Sequence, residues 1–189
     1  MATRVVSFGT PIILADSADY SPTAGLGLTG TRTHQLDLGG IGAGTYRQSA
    51  KFDFFVGGSS CAEYWFCKVS IPPASAPTAG GSAEIFLAFS DSSTAANNNP
   101  GNLSGSDGPY TGYGAASTDA DEQIGGQFER LPKSLVFSAD SDTHIADIGK
   151  FPVLSRYGII VVRNSCSVAF ATSAAQMSVQ LFPIIETIA

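Results

Sequence analysis

The sequence predicts an all-β fold, an antiparallel β-sandwich of jelly-roll type with long loops. The first observation is composition: of 189 residues, 43% are hydrophobic, only 14% are charged and 21 are glycine, which favours strands joined by turns. The second is that about eight to ten strand-like segments, each bounded by turn-forming residues, follow one another along the chain. The third is that no segment has strong helical periodicity. We expect one sandwich domain over 15–189, preceded by an N-terminal arm or edge strand over 1–14.

Residues 4–14 predict the first strand, and two placements fit the pattern. The segment is rich in apolar and β-branched residues, but Pro11 has no backbone N–H to donate, which places the second half at a sheet edge. An ordinary edge strand would have this pattern, and so would an arm that leaves the body to grip a neighbouring subunit.

Three strands are predicted in the middle of the chain, over 45–56, 63–71 and 82–90. In the second of them, alternate residues are apolar and are expected to face inward. These inward residues are Trp65, Cys67, Val69 and Ile71. The third segment is apolar on both sides, which predicts a central strand, although a helix of this length would have the same pattern.

Residues 91–127 are predicted to form a long insertion loop. Most of them are Ser, Thr, Asn, Asp, Gly or Ala, and a loop of this length in a compact domain is usually functional. Tyr110 and Tyr113 are expected to pin the loop to a surface. Because the apolar content is low, we expect the loop to become ordered only when a partner binds.

The most apolar segment, residues 156–164, is predicted to be a strand buried on both faces. Residues 159–162 are continuously apolar, a pattern typical of a strand that is covered on each side of its sheet. An Asn-Ser pair at 164–165 favours a tight turn, so we expect 166–172 to return as the second strand of a hairpin. Residues 176–182 alternate between polar and apolar. The last third is therefore predicted to be an antiparallel meander.

Charge and cysteine content argue against several functions. The net charge is −6 and the basic residues are scattered, which disfavours a nucleic-acid partner. No window of about 20 apolar residues exists, so no membrane span is expected. Cys61, Cys67 and Cys166 occur without a secretory leader pattern, which predicts reduced, buried thiols in a protein made in a cytoplasm.

Candidate catalytic and metal-binding groups are weak. His144, Asp142 and any of the many serines could be drawn as a Ser-His-Asp set, but serine is too frequent to discriminate and no Gly-x-Ser-x-Gly elbow is present. Two acidic clusters could supply oxygen ligands for calcium, but neither has the spacing of a twelve-residue calcium loop. They comprise Asp119, Asp121 and Glu122 in one case and Asp140 and Asp142 in the other. We predict no catalytic residues, no cofactor and no metal site.

A set of short segments, spread over most of the chain, carries a likeness to known proteins. They are ADSADYSP at 15–22, TRTHQLDL at 31–38, RQSAKFD at 47–53, IFLAFSDS at 85–92, NPG at 99–101, YTGY at 110–113, RYG at 156–158, VVRN at 161–164 and LFPIIE at 181–186. Together these segments resemble a group of tailed-bacteriophage virion structural proteins. The motifs are structural and are not specific to any chemistry.

The resemblance implies a capsid decoration, or cement, protein, which binds the outer shell and stabilises contacts between major capsid proteins. Proteins of this kind are similar in being compact β-sandwiches, often trimers. The implied partners are therefore the major capsid protein and further copies of this chain, and the implied location is the virion surface. The alternative is a phage tail or fibre component, including a receptor- or carbohydrate-binding module.

For this function we expect the oligomer or capsid interface on apolar edges near the N terminus and on the long loop. Interfaces gather aromatic and large apolar side chains at their centres, and each of these two regions supplies some. The candidate interface residues are Phe8, Ile12, Ile13, Tyr110 and Tyr113.

Overall fold

The computed structural model describes residues 4–16, 20, 28, 30–55, 62–113, 117–172 and 177–188. The strands are β1 Arg4–Phe8, β2 Ile12–Ala15, β3 His34–Gln35, β4 Tyr46–Gln48, β5 Phe52–Asp53, β6 Tyr64–Ile71, β7 Ser82–Ser90, β8 Gly108–Pro109, β9 Glu129–Arg130, β10 Leu135–Val136, β11 His144–Pro152, β12 Tyr157–Ser165 and β13 Ser178–Ile188. An α-helix, α1, spans Ser117–Gln127, and a 3₁₀ turn spans Pro100–Asn102. Within these ranges no helix is long and apolar enough to cross a bilayer.

The strands form two sheets that pack face to face, so the predicted all-β sandwich is confirmed. Sheet A has the order β11-β6-β13-β2-β3, with β1 also paired to β13. Sheet B has the order β10-β7-β12-β4-β8, with β5 paired to β12 and β9 to β7. The β2–β3 pair is parallel, and the long strands pair in antiparallel fashion.

The main core lies between the sheets and is built from the inward residues of each long strand. In β6 the four residues predicted to face inward are almost fully buried, which confirms the alternation read from the sequence. Side chains from β7, β12 and β13 meet them from the opposite sheet and from within sheet A. They include Ile85, Leu87, Ile160, Val162, Val179 and Leu181.

β12 is buried on both faces, as its unbroken apolar sequence predicts. It pairs with β7 along one edge and with β4 and β5 along the other. Ile160 and Val162 face the core between the sheets, whereas Ile159 and Val161 belong to a second apolar cluster on the outer side of sheet B. Because both faces of β12 are covered, neither face contacts solvent, and both can consist of apolar residues.

The predicted meander and its hairpin are wrong. β11 and β13 lie in sheet A while β12 lies in sheet B, so consecutive strands bury their apolar sides across the sandwich and are not edge-to-edge neighbours. Asn164 does not turn the chain: its Nδ2 donates to the carbonyls of Ile41 (2.8 Å) and Val168 (2.9 Å), and its Oδ1 accepts from the N–H of Cys166 (3.0 Å). These side-chain bonds replace a strand ladder and hold 166–169 as an irregular connection.

The single strand predicted over 45–56 is also wrong, because it divides into β4 and β5. Between them Ser49 makes the bonds that a continuous ladder would have made. Its N–H donates to the carbonyl of Ile160 (2.8 Å), and its hydroxyl accepts from the N–H of Ile160 (3.0 Å). Both short strands therefore stay paired to β12.

Residues 91–113 and 117–127 form a cover over the outer side of sheet B, and the second of these stretches is helix α1, which the sequence did not predict. Leu103, Tyr110, Ala120 and Ile124 from this segment are buried with the outward residues of sheet B. The described parts of the segment thus pack on sheet B, and the expectation that the loop becomes ordered only when a partner binds stays a prediction. Its few apolar residues suffice because the strands beneath supply most of the cluster.

Candidate interaction face

An open aromatic surface lies on the outer side of sheet A, where β1, β6 and β13 meet. Trp65 and Cys67 of β6 point into the core, so Phe66 between them points outward. The Phe8 ring lies 6.1 Å from the ring of Phe66 and 5.9 Å from that of Phe182, measured between centroids. We call this surface the Phe8 face. It consists of Val6, Phe8, Tyr64, Phe66, Phe182 and Ile184.

The register of the strands explains why these side chains lie side by side. Phe66 pairs with Phe182, and Ile184 pairs with Tyr64 on one edge and with Phe8 on the other. Directly opposed residues of neighbouring strands project from the same face of a sheet. The face is therefore a fixed consequence of strand pairing.

Beyond Ile184, β1 and β13 continue as a two-stranded ribbon. β6 is paired to β13 only over Ser178–Ile184, whereas β1 is paired over Ile184–Ile188. On the ribbon Val6 is 57% and Phe8 60% exposed, and Val5 and Ile185 on its opposite side are also exposed. On both sides of this ribbon, apolar side chains are therefore 43% to 60% exposed.

Large apolar side chains are concentrated on this ribbon. Eight exposed large hydrophobic residues occur in the described ranges, and four of them lie here. The four are Val5, Val6, Phe8 and Ile185. Clustered exposure of this kind marks interaction sites, whereas single exposed apolar residues are ordinary.

Charged groups form a mixed rim around the Phe8 face. The Lys150 Nζ lies 3.7 Å from the centroid of the Tyr64 ring, and Lys68 is 3.4 Å from Asp147. The neighbouring Glu63 carboxylate raises the pKa of Tyr64, so its hydroxyl stays protonated at neutral pH. An aromatic centre with a polar rim is the usual anatomy of a protein–protein interface.

The adjoining part of sheet A is closed by the protein itself. Ser178 and Gln180 face outward but are buried, and the Gln180 Nε2 donates to the Tyr20 hydroxyl at 3.2 Å. Burial raises the pKa of Tyr20. The outer side of sheet A is therefore covered near Gln180 and open at the Phe8 face.

Two of the predicted interface residues, Ile12 and Ile13, lie inside the molecule. Ile12 packs in the core between the sheets. Ile13 is buried on the outer side of β2, where Thr33 Oγ1 accepts from its N–H at 2.9 Å. A side chain at Gly30, which has a φ of +138°, would collide with Ile13. Neither isoleucine has surface to offer a partner, so Phe8 alone remains from the N-terminal set.

The two tyrosines of the long segment separate in the structure. Tyr110 is 3% exposed; its hydroxyl donates to the Gly101 carbonyl at 2.7 Å, and burial raises its pKa to about 12. It pins the segment to sheet B, as predicted. Tyr113 is 65% exposed and pins nothing to a surface. The five predicted residues therefore do not form one site.

Sequence reasoning missed Tyr64, Phe66, Phe182 and Ile184. Their signal is present at the start of β6, where the first two residues of outward parity, Tyr64 and Phe66, are aromatic, whereas Lys68 and Ser70 further along are polar. Two aromatic residues on the outward side of an edge-proximal strand predict a surface that needs cover. Phe182 then follows from its pairing with Phe66.

The Ser-His-Asp arrangement considered from the sequence exists as a turn between β10 and β11. The Ser138 hydroxyl lies 2.7 Å from the His144 Nε2 and donates to Asp140 at 2.5 Å. Asp142 offers its main-chain carbonyl, not its carboxylate, to the His144 Nδ1 at 2.7 Å. The N–H of Ser138 also donates to Nε2 at 3.0 Å. The lone pair that a general base would need is therefore engaged in holding the turn.

The two acidic clusters contain carboxylates with other partners in the structure. Among the described residues no group of three or more His, Cys, Asp or Glu side chains lies close enough to hold a metal. Asp121 instead accepts a hydrogen bond from Tyr46 and forms an ion pair with Arg163. Hydrogen bonds from Ser138 and from the N–H of Asp142 lower the pKa of Asp140. The side chain of Asp119 lies outside the described residues.

The cysteines are internal where they can be seen. Cys67 and Cys166 are buried free thiols, and burial raises the pKa of Cys67, which keeps it in the unreactive thiol form. Cys61 lies outside the described residues.

Comparison of the chain with protein-family models, with curated proteins and with solved structures found no match. The arguments for function therefore rest on the Phe8 face, on the strand order and on the resemblance described above.

Proposed function

We propose that this protein is a non-enzymatic structural protein of a tailed-phage particle, a decoration or cement protein that binds the outer shell. The observation that carries the proposal is the Phe8 face with its projecting ribbon. An aromatic surface of this kind costs solubility unless a partner covers it. The partner we propose is the major capsid protein, which the resemblance implies.

The strand order supports the jelly-roll assignment that accompanies this proposal. Four strands of sheet A follow the order β11-β6-β13-β2, and four of sheet B follow β10-β7-β12-β4. The last strand lies beside the first in sheet A, and β12 lies between β7 and β4 in sheet B, which is the nesting that two Greek keys produce. Jelly rolls occur in viral capsid and lectin domains.

Self-association is the second part of the proposal. A ribbon with apolar side chains on both sides can contact the shell with one side and another copy of this chain with the other. Three copies related head to tail around a symmetry axis would close the assembly. Several weak shell contacts then act together, because each contact raises the effective concentration for the next. The protein would be made in the host cytoplasm and remain on the virion surface.

The test is binding to purified shells that lack this protein, with quantitative mass spectrometry of the bound copies per major capsid protein. Phe8→Ser should reduce the affinity at least tenfold, because a central aromatic residue dominates an interface of this kind. Leu154→Ser is the matched control: Leu154 is 69% exposed but lies outside the Phe8 face. We expect the wild type and Leu154→Ser to bind in a simple ratio of copies to capsid subunits, and Phe8→Ser to lose this binding.

Unchanged binding by Phe8→Ser would remove the Phe8 face from the proposal. A handful of copies per particle would favour the second candidate, a tail or fibre module that binds a receptor or carbohydrate. One observation favours that candidate: Tyr113 presents an exposed ring on a long segment at the surface, and exposed aromatic rings stack on sugars. In that case Tyr113→Ala, not Phe8→Ser, should abolish binding to host-cell glycans.

A further inference from the structure

Helix α1 is held on sheet B by few apolar contacts. Its described side chains contribute Ala120 and Ile124 to the cluster beneath it, while most of the others face solvent. Gly125 and Gly126 stand in its last turn, and glycine is a poor helix former. The helix therefore depends on tertiary ties more than on its own stability.

A polar network supplies those ties. The Asp121 carboxylate accepts a hydrogen bond from the Tyr46 hydroxyl and lies 3.1 Å from the Arg163 guanidinium. Arg163 is itself fixed over the Tyr46 ring, 5.2 Å from its centroid, and by Glu84 at 3.4 Å. Burial, together with the bond to Asp121, raises the pKa of Tyr46, so its hydroxyl remains a donor at neutral pH.

The first half of the cover is fastened separately and more firmly. Lys51 reaches three main-chain carbonyls and one hydroxyl in the 90–97 stretch at 2.8 to 3.0 Å. The Asp107 carboxylate receives two bonds from Arg47, at 2.7 and 3.0 Å. At the far end of the helix, Gln127 Oε1 accepts from the N–H of Gly101 at 2.6 Å. Phe128, the residue after the helix, packs against Tyr110 with the ring centroids 5.6 Å apart, so this end stays anchored beyond α1.

We infer that α1 opens from sheet B as a unit while 91–109 stays in place, and that Asp121 is the latch that holds it closed. Opening would uncover the part of the outward apolar side of β4, β7 and β12 that Ala120 and Ile124 cover, while Leu103 stays packed on the rest. The fold would then carry two apolar surfaces, one permanently open at the Phe8 face and one concealed under a releasable helix. This inference is independent of the proposed function.

Native-state hydrogen exchange followed by mass spectrometry tests the inference on the full chain. In the wild type, peptides within 120–127 should exchange well before those of β7 and β12. Asp121→Ala should accelerate exchange of 120–127 by about tenfold, the factor expected for losing one charge-assisted hydrogen bond, with β7 and β12 unchanged. The matched control is Glu122→Ala, which removes a carboxylate from an exposed position of the same helix. It should change the exchange rate by less than about threefold, because an exposed charge contributes little to stability.

Two results would overturn the inference. In the first, 120–127 exchanges in step with β7 and β12 in the wild type, which would mean that α1 leaves only when the sheet unfolds. In the second, Asp121→Ala and Glu122→Ala accelerate exchange equally. Should Asp121→Ala unfold the whole domain, Tyr46→Phe decides the matter, because it removes one hydroxyl donor to Asp121 and keeps the ring.

Discussion

The outer face of sheet B is covered by the protein's own chain, whereas the outer face of sheet A is left open at the Phe8 face. Both faces carry aromatic residues on strands, so both need cover. On sheet B residues 91–113 and 117–127 supply this cover: Tyr110 fills a second core, and Lys51 and Arg47 bind the first of these stretches. The same kind of aromatic surface thus contributes to stability where the chain folds over it, and we propose that it serves binding where the chain leaves it open.

The largest expected effect comes from removing the anchor of the covered face. Tyr110→Ala should lower the free energy of unfolding by about 3–5 kcal/mol, the usual cost of deleting a large buried aromatic residue, and the Gly101 carbonyl would lose its donor. Phe8→Ala, which truncates an equally large ring that is 60% exposed, should cost below about 1 kcal/mol. Urea unfolding of both variants measures the contrast.

Similar losses of unfolding free energy in the two variants would contradict this contrast, since they would mean that the Phe8 face stabilises the monomer as a core does. A loss of unfolding free energy near zero for Tyr110→Ala would also contradict it, because the cover would then be dispensable for folding.

A smaller effect is expected from Lys51, which joins the cover to the strand region beneath it. Its ammonium donates to Ser90 Oγ and to the carbonyls of Ser92, Thr94 and Asn97. Lys51→Met keeps the aliphatic length and leaves these acceptors without their donor, which should cost about 1–3 kcal/mol. Hydrogen exchange should rise in 91–99 and stay unchanged at the Phe8 face.

Lys133→Met is the control for this prediction, because Lys133 is exposed on the connection between β9 and β10 and its charge is lost without uncovering a buried acceptor. If the two substitutions destabilise the protein equally, the effect belongs to net charge and not to the fastening of the cover.

The strands were predictable from the sequence because their causes are local. β6, β7 and β12 begin and end within one residue of the predicted ranges 63–71, 82–90 and 156–164, since a period of two or an unbroken apolar run is set by adjacent residues. Helix α1 was not predictable in this way. Its segment is polar, and its partners Tyr46 and Arg163 stand far from it in the sequence.

The candidate site could be predicted only in part for the same reason. Phe8 and Ile12 were predicted alike as interface residues on an apolar edge, but Phe8 is exposed and Ile12, four residues away, is buried. What separates them is the pairing of β1 and β2 with different parts of β13, which a pattern of residues does not specify. The prediction of a turn at Asn164 was wrong because the side-chain amide of Asn164 hydrogen-bonds to Ile41, which is distant in the chain.

The smallest effect on stability is expected for Asp53→Asn, which removes an ion pair outside the cover, and this effect should depend on pH. The ion pair Arg47–Asp107 joins β4 to the cover, and its side chains are 20% and 12% exposed. The ion pair Arg156–Asp53 lies outside the cover, and its side chains are 53% and 35% exposed. Partial burial acts to raise the pKa of Asp53, but hydrogen bonds from Arg156 and from the N–H of Phe55 outweigh it and lower the pKa below the ordinary 3.8. Asp53→Asn should cost below about 1 kcal/mol at neutral pH, because solvent screens the pair.

The sign of the pH dependence follows from the lowered pKa. A carboxyl group that is more acidic in the folded state stabilises the protein fully above its unfolded pKa, and this contribution disappears as the pH falls through the folded pKa. The difference in unfolding free energy between wild type and Asp53→Asn should therefore be constant from pH 7 to about 5 and shrink as the pH drops below 3.8. Arg156→Gln should reproduce this profile, since it removes the main partner that lowers the pKa. A difference that grows towards acid would mean that burial governs Asp53 and that this surface pair stabilises nothing.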